Sequence, residues 1–235
     1  MCINVLVFGM TDNPGGMESC VMNYYRNIDK NEVHFDFLCN WEYMVYADEV
    51  MADGSRIYTI PKRSDDYKAY KEKMDEFFEK HAKDYDVLWY NTCTLANIDY
   101  LVYAKKYGIK KRIIHSHNSG NETSKLRGML HYINKMRLSM YATDYWSCSM
   151  PASKYFFSNR IINSTRHHII NNAIQLQHFQ YDEEKRKELR DKYNLNNKNV
   201  IGHIGRFQPQ KNQEFLVEIF SRYLKQDNNA ILMLI

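Results

Sequence analysis

The first sixteen residues contain the segment that decides the fold, Ile3-Asn-Val-Leu-Val-Phe8 followed by Gly9-Met-Thr-Asp-Asn-Pro-Gly-Gly16. Residues 3–8 are short, apolar and partly β-branched, which predicts a buried strand. Residues 9–16 contain glycine and proline and predict a loop. Apolar side chains then recur at helical spacing over residues 17–27. The chain is therefore predicted to open with a strand, a glycine-containing loop and a helix.

The same alternation of strands and helices continues to about residue 175. Predicted strands cover residues 33–38, 56–60, 86–90, 112–117 and 145–149, and predicted helices cover residues 67–81, 96–107, 125–142 and 152–157. Strands that alternate with helices through short connections are typical of a mainly parallel sheet with helices on both faces. The predicted fold class is α/β, with a doubly wound, Rossmann-like domain over residues 1–175.

The pattern changes after this domain. Residues 181–193 are mostly charged and predict an exposed helix or linker, which we place within residues 176–198. An apolar strand begins near Val200, an amphipathic helix covers residues 213–224, and another strand covers residues 230–235. Residues 199–235 are thus expected to form the beginning of a second Rossmann-like domain, and that domain is expected to be incomplete.

Composition limits the class of protein. The chain has 235 residues, of which 44% are hydrophobic and 26% charged, so it can bury one large core or two smaller ones. Its apolar runs are far shorter than the roughly 20 residues that a membrane span requires. No charged-then-apolar leader typical of a secretory signal is visible. Five scattered cysteines without a C-x-x-C pair predict a reducing, cytoplasmic location.

Positive charge is concentrated between residues 105 and 137, where nine lysines and arginines accompany one acid. Since the whole chain carries a net charge of +4, the remaining residues are acidic overall. A basic segment of this kind predicts a phosphate-bearing partner, and a solvated basic helix face is the alternative. No known nucleic-acid-binding motif accompanies the segment, so nucleic acid is not expected as a partner.

Three polar segments follow predicted strands, where open α/β sheets bind their ligands. Pro14-Gly-Gly-Met-Glu18 combines glycines with a helix N-terminus, whose N–H groups suit an anion. His115-Ser-His117-Asn118 ends a strand, and the loop at 205–212 carries two cations that suit a diphosphate. Taken singly, these segments also fit a tight turn, strand-end polar residues and solvated loop cations.

The same segments exclude several kinds of site. The glycine spacing at 14–18 matches neither G-x-G-x-x-G nor G-x-x-x-x-G-K-[ST]. No G-x-S-x-G surrounds Ser116, which argues against a hydrolase elbow. His115 and His117 share one strand face, as a metal-binding pair would, but no third ligand stands at a recognisable spacing. We therefore expect no metal site.

The order of four segments resembles a known family: PGGMES at 14–19, HSHN at 115–118, IINNAIQLQHF at 169–179 and GRFQPQKN at 205–212. Together they are similar to the retaining, GT-B-fold glycosyltransferases of family 4, which include many bacterial capsule and exopolysaccharide enzymes. The resemblance covers essentially the whole chain. One departure is Asn172-Ala-Ile-Gln175, where the family usually has Asn-Gly-Ile-Asp.

The resemblance implies an activity and a substrate class. A hexosyl group would pass from a nucleotide sugar, most simply a UDP-sugar, to a saccharide or lipid-linked saccharide, with retention and without a metal ion. The context would be the biosynthesis of surface polysaccharide. The family's C-terminal domain normally extends further than residues 199–235. A second hypothesis is therefore a truncated or split, non-catalytic module that binds acceptor or membrane and needs a complementing C-terminal domain.

The resemblance also implies roles for individual residues. His117 would lie beside the transferred sugar as the catalytic residue. Gly15 and Gly16 would approach the donor diphosphate, and Arg206 and Lys211 would neutralise it as it leaves. By the same resemblance, the cleft residues on the acceptor side are Glu18, Asn118 and Asn172.

The basic helix gains a specific interpretation from the resemblance. In this family the N-terminal domain often docks on an anionic membrane through basic and aromatic residues, which implies a peripheral location at the inner face of the cell membrane. The helix predicted over residues 125–142 has such a composition. A helix packed on the core with one basic face is the alternative. The candidate membrane-surface cations are Lys125, Arg127, Lys135 and Arg137.

Overall fold

The computed structural model describes residues 2–120, 124–209 and 211–235. The chain divides into two compact units, Met1–Gln175 and Leu176–Ile235. The strands of the first unit are β1 (Ile3–Phe8), β2 (Val33–Cys39), β3 (Ile57–Thr59), β4 (Val87–Thr92), β5 (Lys111–Ser116), β6 (Asp144–Ser147) and β7 (His167–Ile169). Its helices are α1 (Gly16–Asn27), α2 (Ala47–Ala52), α3 (Tyr67–His81), α4 (Asp99–Lys106), α5 (Lys125–Arg137), α6 (Met150–Phe156) and α7 (Asn159–Ile162).

The first unit is built on one parallel sheet of seven strands, in the order β3-β2-β1-β4-β5-β6-β7. Every neighbouring pair of strands is parallel. The chain winds outward from β1 in one direction and then from β4 in the other, so the strand order reverses between these two strands. This is the topological switch point of an open α/β sheet, and ligands bind beyond the carboxyl ends of its strands.

Helices cover both faces of this sheet, which confirms the predicted α/β, doubly wound architecture. Side chains of successive strand residues point to opposite faces, so β1 sends Leu6 into one core and Val5 and Val7 into the other. The first core includes buried residues of α3 and α4, and the second includes buried residues of α1 and α2. Burial on both faces explains why the strands are continuously apolar rather than alternating.

Some predicted boundaries were wrong, and short elements were missed. The helix predicted over 125–142 ends at Arg137 and continues as a single 3₁₀ turn, Leu138–Met140. The helix predicted from residue 96 begins at Asp99. Helices α2 and α7 and strand β7 were not predicted, because each is too short to show a periodic pattern. Strand β7 exists through its pairing with β6, which the local sequence does not encode.

The second unit contains α8 (Glu183–Lys192), β8 (Asn199–His203), α9 (Gln213–Tyr223) and β9 (Ala230–Leu234). Strand β8 pairs in parallel with β9, so β8, α9 and β9 form the predicted strand–helix–strand unit. The charged segment at 181–193 forms α8, none of whose described residues is buried. Across the described ranges of the chain, no helix is long and apolar enough to cross a membrane.

Candidate functional site

His117 is the first residue after β5, at the carboxyl edge of the sheet. Its backbone N–H donates to the carbonyl oxygen of Thr92, the last residue of β4, at 3.1 Å. Its ring Nε2 lies 2.9 Å from Oδ1 of Asn91 on the same strand. The predicted catalytic histidine is therefore tied by backbone and side chain to β4, the strand that borders the switch point.

Gly9 lies on the other side of the switch point, directly after β1. Its φ is +124°, and a Cβ added to it would stand 2.5 Å from the carbonyl oxygen of Asn91. A side chain at this position would therefore clash with the backbone of β4 as well as strain its own. Asn91 is only 1% exposed. Sequence reasoning missed both residues, although a glycine directly after a buried strand was a usable signal.

His115 lies fully buried behind His117. Its ring stacks on that of Trp89 at 5.9 Å and lies 4.2 Å from the ring of His117. Among the described residues, neither ring nitrogen of His115 has a hydrogen-bond partner. Burial lowers the pKa of His117 to about 4, and burial together with the neighbouring His117 lowers the pKa of His115 to about 2. Both imidazoles are therefore neutral near pH 7.

The two glycines of the loop, Gly15 and Gly16, have different surroundings. Gly15 is the N-cap of α1, and the place of its missing Cβ lies 2.6 Å from Oε2 of Glu18. Apart from the two neighbouring residues and the backbone of α1 itself, no atom of the described residues lies within 4 Å of the corresponding place at Gly16. Glu18 is 5% exposed, and its Oε1 accepts a hydrogen bond from the Thr11 hydroxyl at 2.7 Å. This end of the sheet thus holds a buried carboxylate as well as a helix N-terminus.

The two asparagines predicted for the cleft lie on separate segments. Asn118 follows His117, and its side chain accepts from the N–H of Ser119 at 2.8 Å and donates to the Gly120 carbonyl at 3.1 Å. Asn172 is exposed. The residues on either side of Asn172 are bound to α1: the Tyr24 hydroxyl donates to the Asn171 carbonyl at 2.9 Å, and Asn23 donates to the Ala173 carbonyl at 2.5 Å.

Arg206 and Lys211 belong to the second unit, on the loop between β8 and α9. Both side chains are exposed. The buried Gln213 amide donates to the carbonyl oxygens of Gly205 at 3.3 Å and Arg206 at 2.8 Å, so the first residue of α9 holds the start of this loop. The Lys211 stem passes 3.4 Å from the place of a Cβ on Gly205. The loop therefore presents two cations on a supported backbone.

Helix α5 exposes apolar side chains together with cations. Of the four candidate membrane-surface cations, Lys125, Arg127 and Arg137 are exposed. Lys135 differs, because its ammonium donates to the carbonyl oxygens of Lys154 and Tyr155, both at 2.8 Å, and burial lowers its pKa. The large apolar side chains that α5 and the following turn expose are Leu126, Met129, Tyr132, Ile133, Met136 and Met140.

Two further features bear on ligands. Within the part of the chain that the structure describes, no group of three or more His, Cys, Asp or Glu side chains could hold a metal ion. An apolar cavity of about 560 Å³ opens on the sheet face of the first unit, lined by Trp89, Ile113 and Trp146 among others. None of the predicted site residues lines it.

Comparison with known proteins identifies related sequences and folds. No protein-family model matches the chain. Over 225 residues, 91% of the chain, it is 28% identical to "Putative glycosyltransferase EpsF" of Bacillus subtilis (strain 168). It spans 56% of the length of that protein. What is known of EpsF as a whole thus concerns a longer protein.

Solved structures share the fold at low sequence identity. HepE of Anabaena, crystallised with UDP-glucose, superposes with a TM-score of 0.74 at 14% identity, over 99% of this chain and 60% of HepE. A glycosyltransferase of Rickettsia africae gives a TM-score of 0.63 at 11% identity, over 99% of this chain and 68% of that one. The UDP-GlcNAc 2-epimerase of Methanocaldococcus jannaschii gives a TM-score of 0.57 at 12% identity, over 99% of this chain and 65% of the epimerase. The predicted Rossmann-like, GT-B-type fold is confirmed.

Proposed function

We propose that the protein is a glycosyltransferase that moves a hexosyl group from a UDP-sugar to a saccharide or lipid-linked saccharide, with retention, in surface polysaccharide biosynthesis. The observation that carries the proposal is the placement of His117, a neutral and half-buried imidazole held against Asn91 beside the switch point. The similarity to EpsF over 91% of the chain supports it.

The proposed chemistry needs charge stabilisation more than it needs a strong base. Breaking a glycosyl–phosphate bond leaves negative charge on the nucleoside diphosphate, and preorganised cations lower the energy of that state. Arg206 can bind the leaving diphosphate as a fork and Lys211 as a point charge, without a metal ion. His117 contacts the transferred sugar as a neutral hydrogen-bonding group.

The glycine loop has separate roles in this proposal. The backbone at Gly16, with open space beside it, approaches the diphosphate, and Gly15 supplies the N-cap of α1. Glu18 is a carboxylate and repels a diphosphate, so we assign it to the acceptor, whose hydroxyl groups donate hydrogen bonds to carboxylates. Asn118 and Asn172 complete the acceptor side. In this proposal residues 1–175 form the acceptor-side domain, 176–198 a charged linker, and 199–235 part of the nucleotide-sugar-binding domain.

The test is release of UDP from UDP-glucose, UDP-galactose and UDP-N-acetylglucosamine, with and without saccharide and lipid-linked acceptors. It is run on the 235-residue chain and on a version extended by a complete second domain. We expect His117→Ala, Arg206→Ala and Lys211→Ala each to lower kcat/KM about a hundredfold, the usual cost of losing one group that stabilises the transition state. The matched control is Lys225→Ala, an exposed lysine of the same unit.

The outcomes separate the two hypotheses drawn from the sequence. UDP release that depends on the three site residues supports the transferase. Failure of both chain lengths to release UDP from every donor contradicts it. Binding of acceptor or vesicles without any transfer would favour the non-catalytic module.

We further propose that the protein works as a peripheral protein at the inner face of the cell membrane. The support is the surface of α5, where exposed apolar side chains stand between Lys125, Arg127 and Arg137. Apolar burial and attraction to anionic lipid together stabilise interfacial helices of this composition.

A further inference from the structure

Asn91 is a buried amide that the proposed chemistry leaves without a role. It is 1% exposed at the carboxyl end of β4, and its Oδ1 lies 2.9 Å from Nε2 of His117. Its backbone lies against Gly9, where even one added methyl group would clash. Its backbone and its amide are therefore confined by the residue that follows β1, by its own strand β4 and by the residue that follows β5.

The hydrogen bond made by Nδ2 of Asn91 determines which atom of the amide faces His117. The Asn91 Nδ2 donates to the carbonyl oxygen of Trp89 at 3.4 Å. Were the amide turned over, Oδ1 would face this carbonyl oxygen, which can only accept a hydrogen bond. Two acceptors would then meet in a site with almost no solvent, which is unfavourable because neither finds a donor. The favoured orientation therefore presents Oδ1, an acceptor, to the histidine.

An acceptor at Nε2 decides where the imidazole proton resides. In a neutral imidazole one nitrogen carries the proton and the other accepts, and the hydrogen bond made by one nitrogen sets the state of the other. Burial keeps the pKa of His117 low enough for the ring to be neutral near pH 7. The nitrogen that faces Asn91 must then be the protonated one.

We infer that Asn91 is a positioning residue that holds His117 as the Nε2–H tautomer and leaves Nδ1 as an unprotonated acceptor. A substrate hydroxyl that meets this ring nitrogen must donate to it. The inference rests on the proposed function only for this consequence in catalysis, because the tautomer is a property of the protein alone.

An asparagine suits this task better than the aspartate that often orients histidines. A buried carboxylate at the same place would stabilise the imidazolium and raise the pKa of His117. The titratable group in ring contact with His117 is His115, whose burial keeps it neutral as well. Asn91 therefore fixes the tautomer of His117 while the His117 ring stays uncharged.

The test is the two-bond ¹H–¹⁵N correlation spectrum of the histidine-labelled 235-residue chain, with the signals of His117 assigned from their loss in His117→Gln. We expect protonated Nε2 and unprotonated Nδ1 in the parent protein. Asn91→Ala should give a mixture of tautomers. Asn91→Asp, which is closest in shape, should raise the pKa of His117 by about one unit or more. The control is Asn163→Ala, an exposed asparagine at the end of α7.

A protonated Nδ1 in the parent, or an unchanged tautomer in folded Asn91→Ala together with an unchanged pKa in Asn91→Asp, would overturn the inference. Failure of the proposed function is distinguishable, because it appears as absent UDP release while the spectra keep the tautomer shift. With an active transferase, Asn91→Ala should lower kcat about tenfold at nearly constant KM, the pattern of an interaction gained in the transition state.

Discussion

At the scale of single residues, the candidate site depends on close packing between segments that are remote in sequence. Gly9, Asn91 and His117 come from three different strand ends, and each constrains the next. The pair Gly15-Gly16 stands out in the sequence as a candidate diphosphate loop, whereas the sequence does not show that Gly9 packs against β4. Two adjacent glycines form a recognisable motif, whereas the crowding that requires Gly9 comes from the backbone of β4.

The contrast between two glycines is testable. Gly9→Ala should destabilise the protein by about 3 kcal/mol, because a side chain there combines an unfavourable positive φ with a backbone clash. Gly16→Ala should stabilise it by about 0.5 kcal/mol, since the new methyl group meets open space at the start of α1 and the unfolded chain loses freedom. Urea denaturation of both variants measures the difference. Equal stabilities would show that β1 and β4 are not packed as described.

At the scale of secondary-structure elements, α5 is a helix that exposes large apolar side chains beside cations. It turns His131 inward, whose Nδ1 accepts from the N–H of Leu95 at 3.0 Å, and Lys135 caps the carbonyl oxygens at the end of α6. Its opposite side exposes Met129 by 55% and Met136 by 69%. The amphipathic pattern was evident in the sequence, but which face is buried was not.

This surface yields a prediction at the same scale. Sedimentation with vesicles of phosphatidylcholine and phosphatidylglycerol should show binding that the double variant Met129→Glu/Met136→Glu loses, because it removes apolar burial and adds negative charge. Lys125→Gln should weaken binding about fivefold, since a cation near an anionic surface contributes about 1 kcal/mol.

Two controls make the vesicle measurement specific. Met51→Glu changes a comparably exposed methionine, 51% exposed on α2, and should leave binding unchanged. Vesicles of phosphatidylcholine alone should bind more weakly and should not respond to Lys125→Gln. A protein that binds neither kind of vesicle, or that loses binding equally with Met51→Glu, would refute an α5 membrane surface.

At the scale of the whole molecule, the two units differ in how much of each is buried. The first holds two apolar cores on opposite faces of a seven-stranded sheet. In the described part of the second, the buried residues are Leu195, Gln213 and Ala230. A two-stranded sheet with so few buried side chains has little to offset the entropy of ordering its backbone.

Hydrogen exchange should reveal this difference in the isolated chain. Amides of β8 and β9 are expected to exchange about a hundredfold faster than those of β1 and β4, because local opening is easier where fewer apolar contacts are lost. Exchange measured by mass spectrometry on peptides from both units tests this. Adding UDP should slow exchange in the loop at 205–212 if that loop binds the diphosphate. Equal protection of both sheets would contradict the expected order of stabilities.

The sequence by itself determined the alternation of strands and helices, the α/β class and the place of His117 at a strand end. Hydrophobic periodicity is a local property, so it can be recognised in each segment without knowledge of the rest of the chain. Only the tertiary structure decided that Gly9 packs on Asn91, that Asn91 faces His117, and that Lys135 caps α6. The physical reason is that these contacts depend on strand order and register, which bring together residues far apart in the chain.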